Sequence, residues 1–261
     1  MKHIIEILQR LDTVVVFAII CSSMTVLVAI MPLLRAWILR LPISEAVNQG
    51  ASDALKSVAG FMVFVVGFSL VQVQGQYRTT EDLVLKEANV VSTLDRALFH
   101  FGTPAAVAAR ADLQLYVRSV IDDEWPLLAT SRRSPKTDVL YRKFGADVRL
   151  LEPENDRQKA TETGMLRALD EMGELREARI AAVEFGLPTI YWWVMAGLFG
   201  IILVLAFFNW ATLDRMLANC GMICAIGILL TLVLVYEDPF AGDISVAPTA
   251  LRRVLGLMDL R

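Results

Sequence analysis

Apolar residues gather into four long runs, 13–34, 54–75, 190–210 and 216–236, arranged as two pairs with a long, mostly polar segment between the second and third. Each run reaches the ~20 residues an α-helix needs to cross the hydrocarbon core of a bilayer. The pattern predicts an all-α, polytopic membrane protein with four transmembrane helices. A first hairpin occupies 1–75, a water-side domain 76–189, a second hairpin 190–236 and a C-terminal docking segment 237–261. The first run is too long for the apolar core of a signal peptide, and Arg35-Ala36-Trp37 is a poor cleavage site, so it reads as a retained anchor. Arg35 to Leu41 then reads as a short interfacial segment.

The polar segment is itself patterned for helices. No breaker stands between the second run and His100, so the second span is expected to continue into water as one helix. Along it Val84, Glu87, Val91, Leu94, Leu98 and Phe101 alternate spacings of three and four, the seam of a packed helix. Gly102-Thr103-Pro104 predicts a stop and a restart, with Thr103 as N-cap and Pro104 in the first helical position. The next helix is expected over 104–125, with Leu113, Tyr116, Val117, Val120 and Glu124 on its face and Pro126 as its end. Residues 127–153, with two prolines and no sustained period, read as irregular. A last helix over 155–185, with Leu169, Met172, Arg176, Ile180 and Val183 as its face, leads to the Gly186-Leu187-Pro188 break. The middle domain is thus expected to be a helical bundle built by extension of the second and third spans.

Glu87 is the one charge in its seam, and an unpaired buried carboxylate costs several kcal/mol. Arg176 and Arg179 on the returning helix are its candidate partners. Two readings stand: an interhelical salt bridge, or direct handling of a ligand or ion.

The second span carries a stripe the others lack. Phe61, Val65 and Phe68 repeat at helical spacing, with Phe64 beside them and Gln72 and Gln76 further along. Around an oligomer axis these phenylalanines would form an apolar constriction that gates by dewetting, with the glutamines offering polar contacts to an ion. Alternatively the rings face lipid or pack within one subunit. Ser57, Gly60 and Gly67 are small enough to let neighbouring backbones approach.

Composition narrows the chemistry further. The chain is 56% hydrophobic, and the middle segment holds sixteen Lys/Arg against nineteen Asp/Glu, so no basic footprint for nucleic acid exists. Basic residues flank the outer ends of both hairpins (Lys2, Arg10, Arg78, Lys86, Arg176, Arg179, Arg252, Arg253, Arg261) more than their turns (Arg35, Arg40, Lys56, Arg215). That bias places both termini and the middle domain in the cytoplasm. Cys21, Cys220 and Cys224 lie inside the spans and read as packing residues; His3 and His100 stand apart. No nucleophile elbow, phosphate loop or metal-ligand cluster occurs, so neither an enzyme nor a metal or other cofactor is expected.

Several short motifs resemble one family. Glu87-Ala88-Asn89 follows Tyr77-Arg78, Glu124-Trp125-Pro126 ends the next predicted helix, and Asp238-Pro239-Phe240-Ala241-Gly242 closes the fourth span. Together they are similar to the bestrophin-like family of bacterial membrane proteins, from about the second span to the C-terminus. The resemblance implies a bacterial inner-membrane location and a relation to bestrophins, pentameric anion channels whose second membrane helix lines the pore. It implies a lipid-embedded homo-oligomer with small inorganic anions as cargo. The alternative is a non-conducting scaffold or sensor whose bundle binds a partner through Glu87, Glu124 and Arg132-Arg133. In the last motif Pro239 is expected to stop the helix, Gly242 to permit a turn, Phe240 to tuck under the bundle, and Asp238 to cap backbone amides or meet an arginine. Leu251, Val254, Leu255 and Met258 form the apolar face of a short docking helix.

Overall fold

Helix dominates the computed structural model, which describes residues 12–38, 43–184, 186–209, 212–242 and 244–260. In chain order the helices are α1 (Thr13–Ile38), α2 (Glu45–Phe101), α3 (Pro104–Ser119), α4 (Trp125–Leu128), α5 (Pro135–Arg149), α6 (Asp156–Ala181), α7 (Thr189–Phe207), α8 (Leu213–Glu237) and α9 (Thr249–Asp259). A π-helical turn, Val120–Glu124, joins α3 to α4, and a 3-10 turn, Ala182–Glu184, follows α6. The protein is an all-α polytopic membrane protein: α1, α2, α7 and α8 are the four spanning helices, and a helical domain lies between the second and third. The chain divides into two compact units, one of residues 1–75, 186–237 and 242–244, the other of 76–185, 238–241 and 245–261. Helix α2 contributes to both.

In the first unit each helix turns one narrow stripe inward. Val16, Ile20, Met24 and Val28 of α1 belong to one core with Leu55, Ala59, Met62, Val66 and Val73 of α2 and Met195, Ile202, Ile223, Ile226 and Val233 of α7 and α8. Helix α1 packs on α7 and α8. A Cβ at Gly227 would stand 3.3 Å from the Cα of Cys21, so only glycine lets these two backbones come so near. Between 17 and 33% of the residues in each span's most apolar window are buried, leaving most of that apolar surface facing outward. Water would penalise such a surface; lipid does not.

The second unit has the core of a water-soluble bundle. Val84, Val91, Leu94, Leu98 and Phe101 of α2, the predicted seam, are buried. Leu113 and Val117 of α3, Phe144 and Val148 of α5, Met165, Leu169 and Met172 of α6, and Leu251, Val254 and Met258 of α9 fill the same core. At the α2–α3 junction Gly102 takes φ +76°, and Thr103 Oγ1 accepts from Ala106 N at 3.3 Å as N-cap, with Pro104 opening α3.

The structure departs from the expected elements in four places. Residues 127–153 are not irregular: α5 occupies much of them, capped by Ser134, whose Oγ accepts from Thr137 N at 3.2 Å, with Pro135 in the first position. That proline starts a helix rather than breaking one, because its missing N–H falls where no intrahelical partner exists. Pro126 does not stop its helix either. The π turn precedes it and places it in the first turn of α4, where again no donor is lost. Helix α6 ends at Ala181, short of the expected 185, and Phe185 lies outside the described residues. Finally, Arg35, Ala36 and Trp37 belong to α1 rather than to a separate surface segment. The expectations that touch Lys2, His3, Arg10, Arg40, Leu41, Trp210, Ala211 and Arg261 also lie outside the described residues.

Candidate functional site

Within the first unit α2 has two unlike faces. Leu55, Ala59, Met62, Val66, Ser69 and Val73, at alternating helical spacings, are buried. On the other side Phe61, Phe64 and Phe68 are 56, 69 and 58% exposed. Val65 sits half-buried at the edge of that side, and Gln72 is also half-buried. Beyond the local backbone of α2, no described atom comes within 4 Å of where a Cβ would stand at Gly60 or Gly67, so no neighbouring helix of the protomer requires their smallness. Gln76, further along the same helix and already part of the second unit, is half-buried with its side-chain oxygen covered.

The second unit gathers most of the polar residues singled out in the sequence into one buried cluster. Glu87 on α2 receives Arg179 Nε at 2.7 Å and Nη2 at 3.2 Å. Arg179 Nη2 also donates to Glu124 Oε1 at 2.8 Å. Glu124 is shared: Arg176 donates to it through Nη2 and, at 3.3 Å, through Nε. Arg176 Nη2 reaches Asp138 Oδ1 at 2.6 Å as well. Glu87, Glu124 and Arg179 are wholly buried and Arg176 nearly so. Burial opposes the charge on each arginine, but the carboxylates facing it outweigh that cost and hold both guanidiniums protonated more firmly than usual. Two planar aromatic faces complete the enclosure, with the Trp125 ring 5.1 Å from Arg179 Cζ and the Tyr141 ring 5.6 Å from Arg176 Cζ. Tyr116 is buried beside them. Loss of water, reinforced by Glu87, lifts its hydroxyl pKa well above the ordinary value, so it remains neutral.

Local chain chemistry aims these side chains. The π turn inserts one extra residue per turn and swings Glu124 to the interior side. Thr137 of α5 braces the turn: its Oγ1 lies 2.8 Å from Ser119 Oγ and 3.3 Å from the Ser119 carbonyl. At Gly173 of α6 a Cβ would stand 2.3 Å from Tyr141 Oη, so glycine there makes room for the ring under Arg176.

The segment after α8 closes on the same cluster. Asp238 Oδ1 accepts from Phe240 N at 2.9 Å, and Val246 N donates to the Pro239 carbonyl at 2.8 Å. Gly242 has φ +79°, a conformation that side chains resist. Phe240 meets Trp125 edge-on with ring centroids 5.7 Å apart, and Trp125 Nε1 donates to the Val246 carbonyl at 3.1 Å. Trp125 therefore has Arg179 against its ring and the C-terminal segment against its edge. Burial raises the Asp238 carboxyl above the ordinary aspartate pKa, while the Phe240 and Ala241 amides pull the other way.

Glu87, Glu124, Trp125, Arg176, Arg179 and Phe240 thus come together. Ala88 lies in the apolar core, whereas Asn89 and Pro126 are exposed and outside the cluster. Asp138 and Tyr141 were missed because α5 was missed. The Ser134-Pro135 pair, an N-cap followed by a first-turn proline, is the sequence signal that locates them. Among the described residues no group of three or more potential metal ligands occurs.

Four spanning helices with a helical bundle between the second and third define a class of polytopic membrane protein. Within it, a profile of the Bestrophin-like domain matches residues 21–251, and the chain belongs to that family. Two crystal structures of a bacterial bestrophin homologue from Klebsiella pneumoniae, one of them a substituted variant, share the fold with TM-scores of 0.67 and 0.64. Both are 15% identical and cover 94 and 95% of this chain and 99% of their own. A substituted membrane protein of 14% identity reaches 0.68, over 92% of this chain and 99% of its own. No curated protein matches the sequence.

Proposed function

We propose that the protein is a homo-oligomeric, anion-conducting channel lined by α2. Phe61, Phe64 and Phe68 form its constriction, Val65 borders it, and Gln72 and Gln76 follow. The observation that carries this reading is the row of large aromatic side chains turned away from the protomer, with open space at Gly60 and Gly67 beside it. Copies of α2 around a common axis bring such rows together into an apolar throat, which conducts when wetted and closes when dry. Ring edges carry partial positive charge and favour an anion over a cation. Membership of the Bestrophin-like family supports the same arrangement, and five subunits is the number its resemblance to bestrophins implies.

The remaining polar residues act within the second unit. Glu87, Glu124, Arg176 and Arg179 hold the second-unit part of α2 against α6, and Asp238 shapes the segment that covers Trp125. Asn89 is exposed and free to meet a neighbouring subunit. The excess of Lys/Arg near 78–86 and 252–253 favours a cytoplasmic middle domain and termini in a bacterial inner membrane.

The full chain reconstituted in planar bilayers is expected to give unitary currents that reverse at the anion equilibrium potential. Phe64→Ala and Phe68→Ala are expected to change their amplitude or open time. Silence across salts and lipids, together with monomeric particles in detergent, would replace the channel with the non-conducting scaffold whose bundle docks a partner.

A further inference from the structure

Among the described residues of the first unit, Arg35 is the one buried charge. Other polar groups inside that unit bond to their own helix: Ser69 Oγ donates to the Val65 carbonyl at 2.9 Å, and Thr231 Oγ1 to the Gly227 carbonyl at 2.8 Å. Arg35 has no such outlet. It is 9% exposed, its Nε is sealed from solvent, and none of its five N–H groups meets an acceptor among the described residues. Arg176 and Arg179 in the second unit, by contrast, each face carboxylates. A guanidinium stays charged at any physiological pH, and a buried charge without a partner is strongly unfavourable. The counterion of Arg35 therefore comes from outside the protomer.

Helix register shows what Arg35 faces. It is the last residue of the buried stripe on α1, and lower on that stripe Cys21 lies against Gly227 of α8. As first and fourth spans, α1 and α8 run in opposite directions. Fourteen residues beyond Cys21 stands Arg35, and fourteen before Gly227 stands Leu213, the first residue of α8. With equal rise per residue the two are about level. A helix start carries partial positive charge, so the guanidinium and the end of α8 both favour an anion. The acids nearby are already engaged. Asp214 accepts from the Thr212 hydroxyl and the Arg215 amide, and Asp53 pairs with Lys56 at 3.4 Å. Trp37, two residues beyond Arg35 and 74% exposed, marks the level of lipid headgroups.

We propose that Arg35 binds a phosphate group at this surface of the membrane, gripping two of its oxygens with the guanidinium fork. The phosphodiester of an anionic lipid headgroup lies at the right depth, and free phosphate presents the same oxygens from water. Phosphatidylethanolamine competes poorly, because its own ammonium neutralises its phosphate. The site lies on α1, apart from the face of α2 proposed to line the pore, and needs no current to be observed.

The full-length protein is reconstituted in nanodiscs of phosphatidylglycerol or of phosphatidylethanolamine, and retained lipid is counted by native mass spectrometry. In detergent its thermal unfolding is followed against added phosphatidylglycerol and, separately, inorganic phosphate. Preferential retention of phosphatidylglycerol, with saturable stabilisation by it, supports the lipid source; saturable stabilisation by inorganic phosphate supports the free one. Arg35→Gln is expected to weaken whichever binding is seen about ten-fold or more, the worth of a charged hydrogen-bond pair. Arg35→Lys, which keeps the charge but loses the fork, is expected to weaken it several-fold, and Lys56→Gln, an exposed base at the same end, to leave it unchanged. Without lipid or phosphate, Arg35→Gln is expected to unfold at the wild-type temperature or above, since it removes an unpaired charge. A clear fall there would reveal a partner within the chain and overturn the proposal. So would equal retention of the two lipids with no response to phosphate, or binding that survives Arg35→Gln.

Discussion

Helix α2 runs through two solvents, and its two stretches obey different rules. In the second unit apolar means inside: Leu94 and Leu98 are fully buried, and the one acid in the seam, Glu87, is buried only because Arg179 meets it. In the first unit apolar means nothing of the kind. Val66 and Phe64, two residues apart, are both apolar, yet one is buried and the other stands out. There neither hydrophobicity nor size alone decides the face: Leu55 and Met62 lie inside with Ala59 and Ser69, and the phenylalanines lie outside. Burial in water is driven by removing apolar surface from solvent, whereas in lipid that drive is absent and shape complementarity takes its place.

The comparison breaks first at the buried charges. Arg179→Met leaves Glu87 buried without its cationic partner and Glu124 with Arg176 alone, and is expected to cost about 3–5 kcal/mol. Unfolding of the solubilised protein by heat or denaturant reads this directly. A loss no larger than that of an exposed arginine such as Arg157 would show that the pairing does not hold the bundle together. In the lipid-facing unit the corresponding weak point is shape rather than charge. Gly227→Ala puts a methyl 3.1 Å from Cys21 Sγ and 3.3 Å from its Cα, so α1 must move away from α8. The expected loss is about 1–3 kcal/mol, seen as a lower unfolding temperature.

Phe64→Ala sharpens the same contrast from the other side. An outward ring with few protomer neighbours is expected to change stability by less than about 0.5 kcal/mol, while altering single-channel currents. A large stability loss without a change in current would assign this face to subunit packing instead. The smallest effect concerns pH. Because burial raises the Asp238 pKa on folding, its contribution to stability is fully present below the ordinary aspartate value and lost as pH rises through the raised one. Asp238→Asn is expected to remove that downward slope just above the ordinary aspartate range, as measured by unfolding midpoints across pH. An unchanged slope would place the carboxyl in water.

Legibility in the sequence followed the same division. The seam of α2, the Gly102-Thr103-Pro104 junction and the apolar face of α9 could be read because each is a local pattern repeated in one strand of sequence. Helix α5 escaped because its inward face is Thr137, Tyr141, Phe144, Gly145 and Val148, too mixed for hydrophobic period to register. With it went Asp138 and Tyr141, half of the surroundings of Arg176. The π turn left no trace either, since one extra residue per turn changes direction without changing composition.

The sequence by itself determined the four spans, the continuation of the second into water, and the need of Glu87 for a cationic partner. Length, periodicity and the cost of a lone buried charge are properties of the chain alone. Only the tertiary structure decided that Arg179 takes Glu87, that Glu124 is divided between two arginines, and that Trp125 links them to the segment after α8. It also decided which side of α2 turns outward in the first unit. Where apolar residues occupy both sides of a span, hydrophobicity cannot choose a face, and the shapes of the neighbouring helices must.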